Sequence, residues 1–106
     1  DTATPKVNIS GNEDNYQINV IMPGIDKKDI TLSIDNDILT IQSNYDKQKD
    51  KDQNALRTEF RIKEYYRKLS LPKDADHQSI SANLKNGILE ITIKKIKVKP
   101  KNIIVK

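Results

Sequence analysis

Hydrophobic and polar residues alternate along most of this chain with a period of two. The alternation recurs in six runs, at residues 7–9, 16–22, 30–34, 39–41, 80–84 and 89–93. Because successive side chains of a strand point to opposite faces, such runs predict strands that bury one face and expose the other. No stretch has a convincing helical period, and no internal repeat is present. The pattern therefore predicts an all-β fold.

The breaks between these runs contain residues that favour turns. They are Gly11-Asn12, Pro23-Gly24, Asp35-Asn36-Asp37, Pro72-Lys73-Asp74 and Asn86-Gly87. Asn86-Gly87 is the strongest hairpin signal, because both central residues of a tight primed turn need a positive φ. We interpret Asp35 and Asp37 as turn formers rather than as paired catalytic acids. Seven or eight short strands with turns at this spacing predict an antiparallel β-sandwich.

Composition narrows the chemistry that the chain can perform. Its 106 residues suit one domain, and Ile, Leu, Val and Phe make up about a quarter of them, enough for a lean core. The chain has no cysteine and one histidine, His77, which we expect at the surface. Thiolate catalysis, disulfides and histidine-rich metal sites are therefore excluded. We predict no enzyme activity, no metal and no cofactor, and no apolar run is long enough for a membrane helix.

The net charge of +4 belongs to the end of the chain. Residues 94–106 hold six lysines and no acidic residue, which leaves the rest of the chain at −2. Nucleic-acid modules usually spread their basic residues over a face and interleave aromatic residues for stacking, and this tail has none. We predict a solubilising role for this charge and no nucleic-acid partner. The absence of cysteine weakly favours the cytoplasm.

Residues 44–58 do not fit a plain sandwich, because they are polar and too long for a hairpin turn. Long connections of this kind are usually functional or disordered. The segment is either a mobile solvated loop or an arm that pairs with the sheet edge of a neighbouring copy. Its acidic residues lack the spacing of a calcium loop.

Several stretches resemble, in order and spacing, the motifs of the α-crystallin domain of small heat-shock proteins. The chain carries Pro23-Gly24-Ile25 followed by Lys28 and Ile30, then Glu59 with Tyr65-x-Arg67-x-Leu69-x-Leu71-Pro72, then Ala82-Asn-Leu-Lys-Asn86-Gly87-Ile88-Leu89, and finally Ile103-Ile104-Val105. Tyr65 and Leu69 replace the usual phenylalanines. The resemblance covers about residues 7–105. The chain opens on Asp1 and lacks the family's N-terminal arm, so we expect it to be a piece of a longer protein.

The resemblance implies an immunoglobulin-like antiparallel β-sandwich of seven to eight strands over residues 1–94, with residues 44–58 as a long strand-swapping dimerisation loop. Residues 95–106 would be a C-terminal extension. It further implies an ATP-independent holdase that binds partly unfolded client proteins and suppresses their aggregation, and that forms homodimers and higher oligomers. The expected dimer interface comprises Tyr45, Ala55, Leu56, Glu59 and Arg67.

The resemblance also implies that the tail anchors Ile103 and Val105 dock into a groove on a neighbouring domain. Period-two spacing after Pro100 suits an extended peptide that adds to a sheet edge, and the alternative is a last strand packed on its own domain. The expected groove residues lie on two strands, and the short side chain of Ala82 would leave room for a visiting residue. They are Ile30, Leu32, Ile34, Ile80, Ala82 and Leu84.

Two matters stay open from the sequence. Arg67 lies in an apolar row, so it either reaches solvent or is partly buried. A partly buried guanidinium needs a carboxylate, for which Glu59 of the same or another chain is a candidate, or several carbonyls. The alternatives to a chaperone are a CS-type co-chaperone or adaptor sandwich that docks a folded partner, and a generic adhesion module. Residues 44–58 and 103–105 favour the chaperone, because CS-type domains lack a swapping loop and a tail anchor.

Overall fold

Eight strands account for most of the residues that the structure describes. It is a computed structural model, and it describes residues 2–44, 54–97 and 101–106. One short 3-10 turn, Lys27–Asp29, precedes the fourth strand. The strands are β1 (Thr2–Ala3), β2 (Val7–Gly11), β3 (Asn15–Ile21), β4 (Ile30–Asp35), β5 (Ile38–Ser43), β6 (Glu64–Ser70), β7 (Ala75–Lys85) and β8 (Ile88–Lys95).

The strands form two four-stranded sheets, with orders β1-β6-β5-β4 and β2-β3-β8-β7. All pairings are antiparallel except that of β1 with β6, which is parallel. The prediction of an all-β sandwich is confirmed. Across the described ranges, no helix has the length and apolar character required to traverse a lipid bilayer.

The core lies between the sheets and is built from the alternating residues of the central strands. β3, β5 and β8 each have a strand on both sides, and most of their inward residues are buried. Further apolar residues of β4, β6 and β7 pack around them. Within the described ranges, twelve buried hydrophobic residues make up the core, namely Ile18, Val20, Met22, Ile25, Leu39, Ile41, Leu69, Leu71, Ala75, Leu89, Ile91 and Ile93.

Two tight hairpins set the register of the edge strands. Asn86 and Gly87 have φ values of 53° and 76°, as the sequence predicts for a primed turn between β7 and β8. Asn36 and Asp37 adopt φ values of 50° and 61° between β4 and β5, so Asp37 is a turn residue. Its carbonyl also accepts a hydrogen bond of 2.7 Å from the Leu71 backbone N–H, which fastens the turn to the end of β6.

The sequence pattern misplaces one end of β2. The alternation puts Val7 and Ile9 in the same inward row, yet only Val7 packs against the core, and Ile9 is 56% exposed. The reason is that β2 is an edge strand, and the core covers only its first part. The parallel pairing of β1 with β6 is likewise absent from the predicted set of strands, because two residues carry no periodicity.

Candidate functional site

An open groove runs between the edges of the two sheets. The strand orders put β4 at the edge of one sheet and β7 at the edge of the other. The space between them is a cavity of about 340 Å³. Both strands lack a neighbour on their outer side among the described residues, so their backbone groups there are available to a further strand. The cavity is lined by Leu32, Ser33, Ile34, Leu39, His77, Ile80, Ser81 and Ala82.

Four of the six groove residues expected from the sequence line this cavity. Leu32 and Ile34 contribute from β4, and Ile80 and Ala82 from β7. The other two, Ile30 and Leu84, do not line the cavity and pack against the core instead. Leu39 of β5, which sequence reasoning missed, forms part of the lining as a fully buried residue. Its place in the alternating run 39–41 gave no signal that distinguishes it from ordinary core.

A polar contact joins the two sheets at one end of the groove. His77 of β7 lines the cavity, and its Nε2 lies 2.8 Å from Oδ1 of Asp37, in the turn between β4 and β5. Both side chains are partly exposed. The arrangement closes this end with polar groups and leaves the apolar lining between Ile34 and Ala82 open.

The expected tail anchors are exposed in the single chain. Ile103 and Val105 are 82% and 91% exposed, and Ile104 between them is 86% exposed. Residues 101–106 form no strand. The alternative in which these residues form a last strand of their own domain therefore does not describe this structure. Three consecutive apolar residues remain uncovered.

The residues where the tail leaves the sandwich make a cluster of contacts that the sequence does not reveal. The Lys95 backbone N–H donates to the Asp14 carbonyl at 2.8 Å, and the Lys97 ammonium group donates to the Asp14 carboxylate. The Tyr16 hydroxyl donates to Oδ1 of Asp74 at 2.6 Å, and the Lys95 ammonium lies 4.6 Å from the centre of the Tyr16 ring. We call these five residues the exit clamp.

The electrostatics of the exit clamp follow from these contacts. The hydrogen bond from Lys97 lowers the pKa of the Asp14 carboxyl, and the charge of Lys97 acts in the same direction. The hydrogen bond to Asp74 raises the pKa of the Tyr16 hydroxyl, which keeps it protonated as a donor. The residues are up to 83 positions apart in sequence. No local motif could have indicated them.

The expected dimer residues lie in different surroundings. Ala55 and Leu56 are exposed, and Leu56 and the nearby Phe60 are large apolar residues without cover. Glu59 forms an exposed ion pair with Arg57 at 3.0 Å. Tyr45 and most of the 44–58 segment lie outside the described residues.

Arg67 is partly buried, and its partner is a backbone carbonyl. Its Nη1 donates to the Pro5 carbonyl oxygen at 3.0 Å, and Pro5 is itself fully buried. The contact ties the segment between β1 and β2 to the middle of β6. Of the two alternatives left open by the sequence, the partly buried guanidinium is therefore the one found, but within one chain Glu59 pairs with Arg57 instead.

Residues 8–106 match the Hsp20/alpha crystallin family. The chain belongs to this family. Among solved structures, a small heat-shock protein from Xylella fastidiosa has a TM-score of 0.81 at 29% identity, covering 98% of this chain and 97% of that one. The hspA protein of Xanthomonas axonopodis has a TM-score of 0.72 at 31% identity, covering 88% and 94%. The family resemblance inferred from the sequence motifs is confirmed.

Curated relatives of the chain are also named as heat shock proteins. The chain is 39% identical over 86% of its length to small heat shock protein C2 of Rickettsia felis, of which it covers 60%. It is 37% identical over 93% of its length to a probable 15 kDa heat shock protein of Leptospira interrogans, of which it covers 75%. The chain thus spans about 60% of the Rickettsia relative. Membership of this family supports a chaperone role, and the family is generally non-enzymatic.

Proposed function

We propose that this domain is an ATP-independent holdase that binds partly unfolded proteins and suppresses their aggregation. It would assemble through strand-swapped homodimers linked by tails that dock in the groove between β4 and β7. The observation that carries the proposal is the coexistence, in one chain, of an open apolar groove and a tail whose Ile103 and Val105 are uncovered.

The energetics favour a reversible contact between tail and groove. Fully burying an aliphatic side chain stabilises by roughly 1.5–3 kcal/mol, so Ile103 and Val105 together gain a few kcal/mol before the cost of ordering the tail. An extended tail can add backbone hydrogen bonds to the free edge of β4 or β7. Several such contacts in one assembly would reinforce each other by avidity.

The proposed dimer uses a different edge of the sandwich. In the sheet β2-β3-β8-β7, β2 has no strand on its outer side among the described residues. In the other sheet, β1 already covers the edge of β6. The free edge of β2 could therefore accept an arm from residues 44–58 of a second copy. Burial of the exposed Leu56 and Phe60 would contribute to such a contact.

Capture of clients follows from the reversibility of docking. When a tail leaves, the apolar lining of Leu32, Ile34 and Ile80 becomes accessible to an unfolding protein. Heating would raise the population of the undocked state and of the clients together. We place this activity in the cytoplasm, with no nucleic acid or membrane as partner.

The test combines absolute mass by light scattering with an aggregation assay that contains no ATP. The parent chain is compared with a double variant, Ile103→Asp/Val105→Asp, and with a matched control, Ile104→Asp, since Ile104 points to the opposite side of an extended tail. We expect the parent and the control to form assemblies larger than a dimer, and the double variant to stop at the dimer. The parent should also keep a heated client in solution.

Two results would contradict the proposal. A parent that is a monomer at every concentration would exclude both the swap and the tail link, and would favour an adaptor of the CS type. Equal masses for the double variant and for Ile104→Asp would show that Ile103 and Val105 do not anchor the tail.

A further inference from the structure

The turn after β3 and the hairpin between β7 and β8 contact each other at one end of the sandwich. The Met22 backbone N–H donates to the Gly87 carbonyl at 2.8 Å. A Cβ on Gly87 would lie 3.3 Å from Cα of Pro23, so the absence of a side chain allows the close approach. The motifs Pro23-Gly24 and Asn86-Gly87, which the proposed function does not use, therefore form one junction.

The connection between β5 and β6, residues 44–63, contains the proposed dimer arm and ends on this junction. The side chain of Ile62 occupies the space that a Cβ on Gly24 would need, and it also packs against the core. Phe60, two residues earlier, is 81% exposed. Ile62 is therefore the point at which the connection rejoins the sandwich.

The first residue of the same connection is fastened beside the start of β4. Ser43, the last residue of β5, pairs with Ile30. The next residue, Asn44, donates its backbone N–H to the Asp29 carbonyl at 2.9 Å. Ser43 is 2% exposed, and its Oγ accepts the Tyr65 backbone N–H at 2.8 Å, which ties the two ends of the connection to each other. The connection thus leaves and rejoins the sandwich at one place.

That place is also one end of the groove. The contact of His77 with Asp37 puts the start of β7 beside the end of β4, so the end of β7 lies beside the start of β4. Asn44 binds the turn before β4, and Ile62 contacts the turn that packs on the hairpin after β7. One end of the connection is therefore bound to one wall of the groove, and the other end is bound to the opposite wall through the junction.

We propose that these contacts couple the binding of the arm to a second copy with the affinity of the groove for an extended peptide. The inference rests on the proposed function, because it assumes both arm exchange and tail docking. An arm bound to a second copy loses conformational freedom, which keeps Asn44 and Ile62 in place against the two walls. A groove whose walls are already ordered costs less free energy to fill, so its affinity for the peptide rises.

The coupling acts in both directions. By thermodynamic linkage, a filled groove strengthens the dimer by the same factor by which the dimer strengthens binding in the groove. Heating would therefore release arms and tails together rather than one after the other.

The experiment measures, by fluorescence anisotropy, the affinity of the groove for a labelled synthetic peptide of residues 99–106. The starting protein is the full chain with Ile103→Asp and Val105→Asp, so that its own tail does not compete with the peptide. A polar-arm variant adds Leu56→Asp and Phe60→Asp, which removes the apolar residues that the arm would bury in the dimer. Light scattering records the mass of every protein at the concentration of the assay.

Two further variants remove the contacts of the connection separately. Ile62→Ala empties the space beside Gly24, and Asn44→Pro removes the N–H that the Asp29 carbonyl accepts. Each is made in the starting protein and in the polar-arm variant. Circular dichroism verifies folding, and two variants are used so that one remains as the test if the other fails to fold. Ile96→Ala is the matched control, because Ile96 is 50% exposed and follows β8, at the opposite end of that strand from the hairpin.

We expect the starting protein to be a dimer and to bind the peptide about five- to ten-fold more tightly than the polar-arm variant, near the lower end of the range for coupled sites. Ile62→Ala, measured at a concentration where it is still a dimer, should lose most of this advantage, and the polar arm should then have little further effect. Asn44→Pro should act in the same way. Ile96→Ala should keep the full difference.

The outcomes separate the coupling from the proposed function. Equal affinities of the dimer and of the polar-arm variant for the peptide would overturn the coupling and leave tail docking in place. A difference that persists in full in Ile62→Ala and in Asn44→Pro would also overturn it, because these contacts would not carry the coupling. A peptide that binds no variant would contradict tail docking, and a monomeric starting protein would contradict the dimer. Either of these two results overturns the coupling as well.

Discussion

The sandwich and its appendages, the segments outside the strands that carry Leu56 and Ile103, contain the same types of apolar residue. The sandwich buries these residues, and the appendages expose them. In the sandwich, Ile41, Ile91 and Ile93 have no exposed surface. In the appendages, Leu56 is fully exposed and Ile103 is 82% exposed. The first group finds its partners within one chain, and the second has none there among the described residues. The difference shows that residue type alone does not define the core, and the uncovered residues are the ones that we propose to bind a second molecule.

The largest expected effect is on the sandwich side of this comparison. Ile41→Ala removes a fully buried side chain at the centre of β5 and leaves a cavity, so it should lower the free energy of unfolding by about 2–5 kcal/mol. Urea unfolding measures the change. Ile104→Ala, in the exposed tail, is the control and should leave the free energy unchanged. Equal changes in the free energy of unfolding for the two variants would contradict the distinction between buried and exposed apolar residues.

The second expected effect is on stability at Gly24, where the sandwich contacts the segment that precedes β6. Gly24 has a φ of 81°, and a Cβ there would lie 2.4 Å from Cδ1 of Ile62, in the segment that leads into β6. Gly24→Ala should cost about 1–2 kcal/mol for the backbone alone, and more if Ile62 is displaced. Gly11→Ala is the matched control, because Gly11 does not have a positive φ and its added Cβ would lie 3.2 Å from Cδ1 of the Tyr16 ring. In thermal unfolding, Gly24→Ala should have a clearly lower midpoint temperature than Gly11→Ala.

Arg67→Ala should have a smaller effect on folding than Ile41→Ala. It leaves the buried Pro5 carbonyl without its donor, and hydrogen bonds to charged groups contribute about 1.5–3 kcal/mol. Hydrogen exchange should show faster opening of β1 and of the start of β2. Light scattering should also show a weaker dimer, as the sequence resemblance implies. Unchanged exchange and unchanged mass would contradict both expectations.

The smallest effect is a titration at the exit clamp. The lowered pKa of Asp14 means that its contact with Lys97 stabilises the fold above the ordinary aspartate value and is lost as the pH falls through the lowered pKa. Carboxyl NMR should show the Asp14 pKa returning toward its ordinary value in Lys97→Gln. The same titration in Lys101→Gln, the control, should match the parent. If the Asp14 pKa were the same in the parent and in Lys97→Gln, the clamp would lose its electrostatic basis.

The sequence was sufficient for the sandwich because each strand carries its own signal. Alternation placed Ile18, Ile41 and Ile91 in the core, and Asn86-Gly87 placed a hairpin, because both are local properties. Ile9 was misplaced, since alternation cannot indicate that a strand lies at an edge. The family motifs led to the groove strands, and four of the six expected residues line the cavity.

What the sequence could not show depends on distant partners. The contact of Tyr16 with Asp74 joins residues 58 positions apart, and that of Arg67 with Pro5 joins residues 62 apart. Neither exists until the sheets have formed, so no pattern in a window of residues can predict it. Glu59 was a plausible partner for Arg67 by charge alone, whereas the structure supplies a carbonyl. The roles of Tyr45, Ala55 and Leu56 in a dimer stay predictions.

The pairing of β3 with β8 has a consequence for the way the chain folds. Val20 pairs with Leu89, so this ladder closes a loop of about 70 residues, whereas the hairpins β4–β5 and β7–β8 close loops of a few residues. Local hairpins form early and distant pairings form late. During synthesis, β3 cannot pair with β8 until β8 has left the ribosome. Until then one sheet is incomplete, so the two sheets cannot cover each other fully. A member of a chaperone family thus completes its own core only when nearly all of this domain has been made.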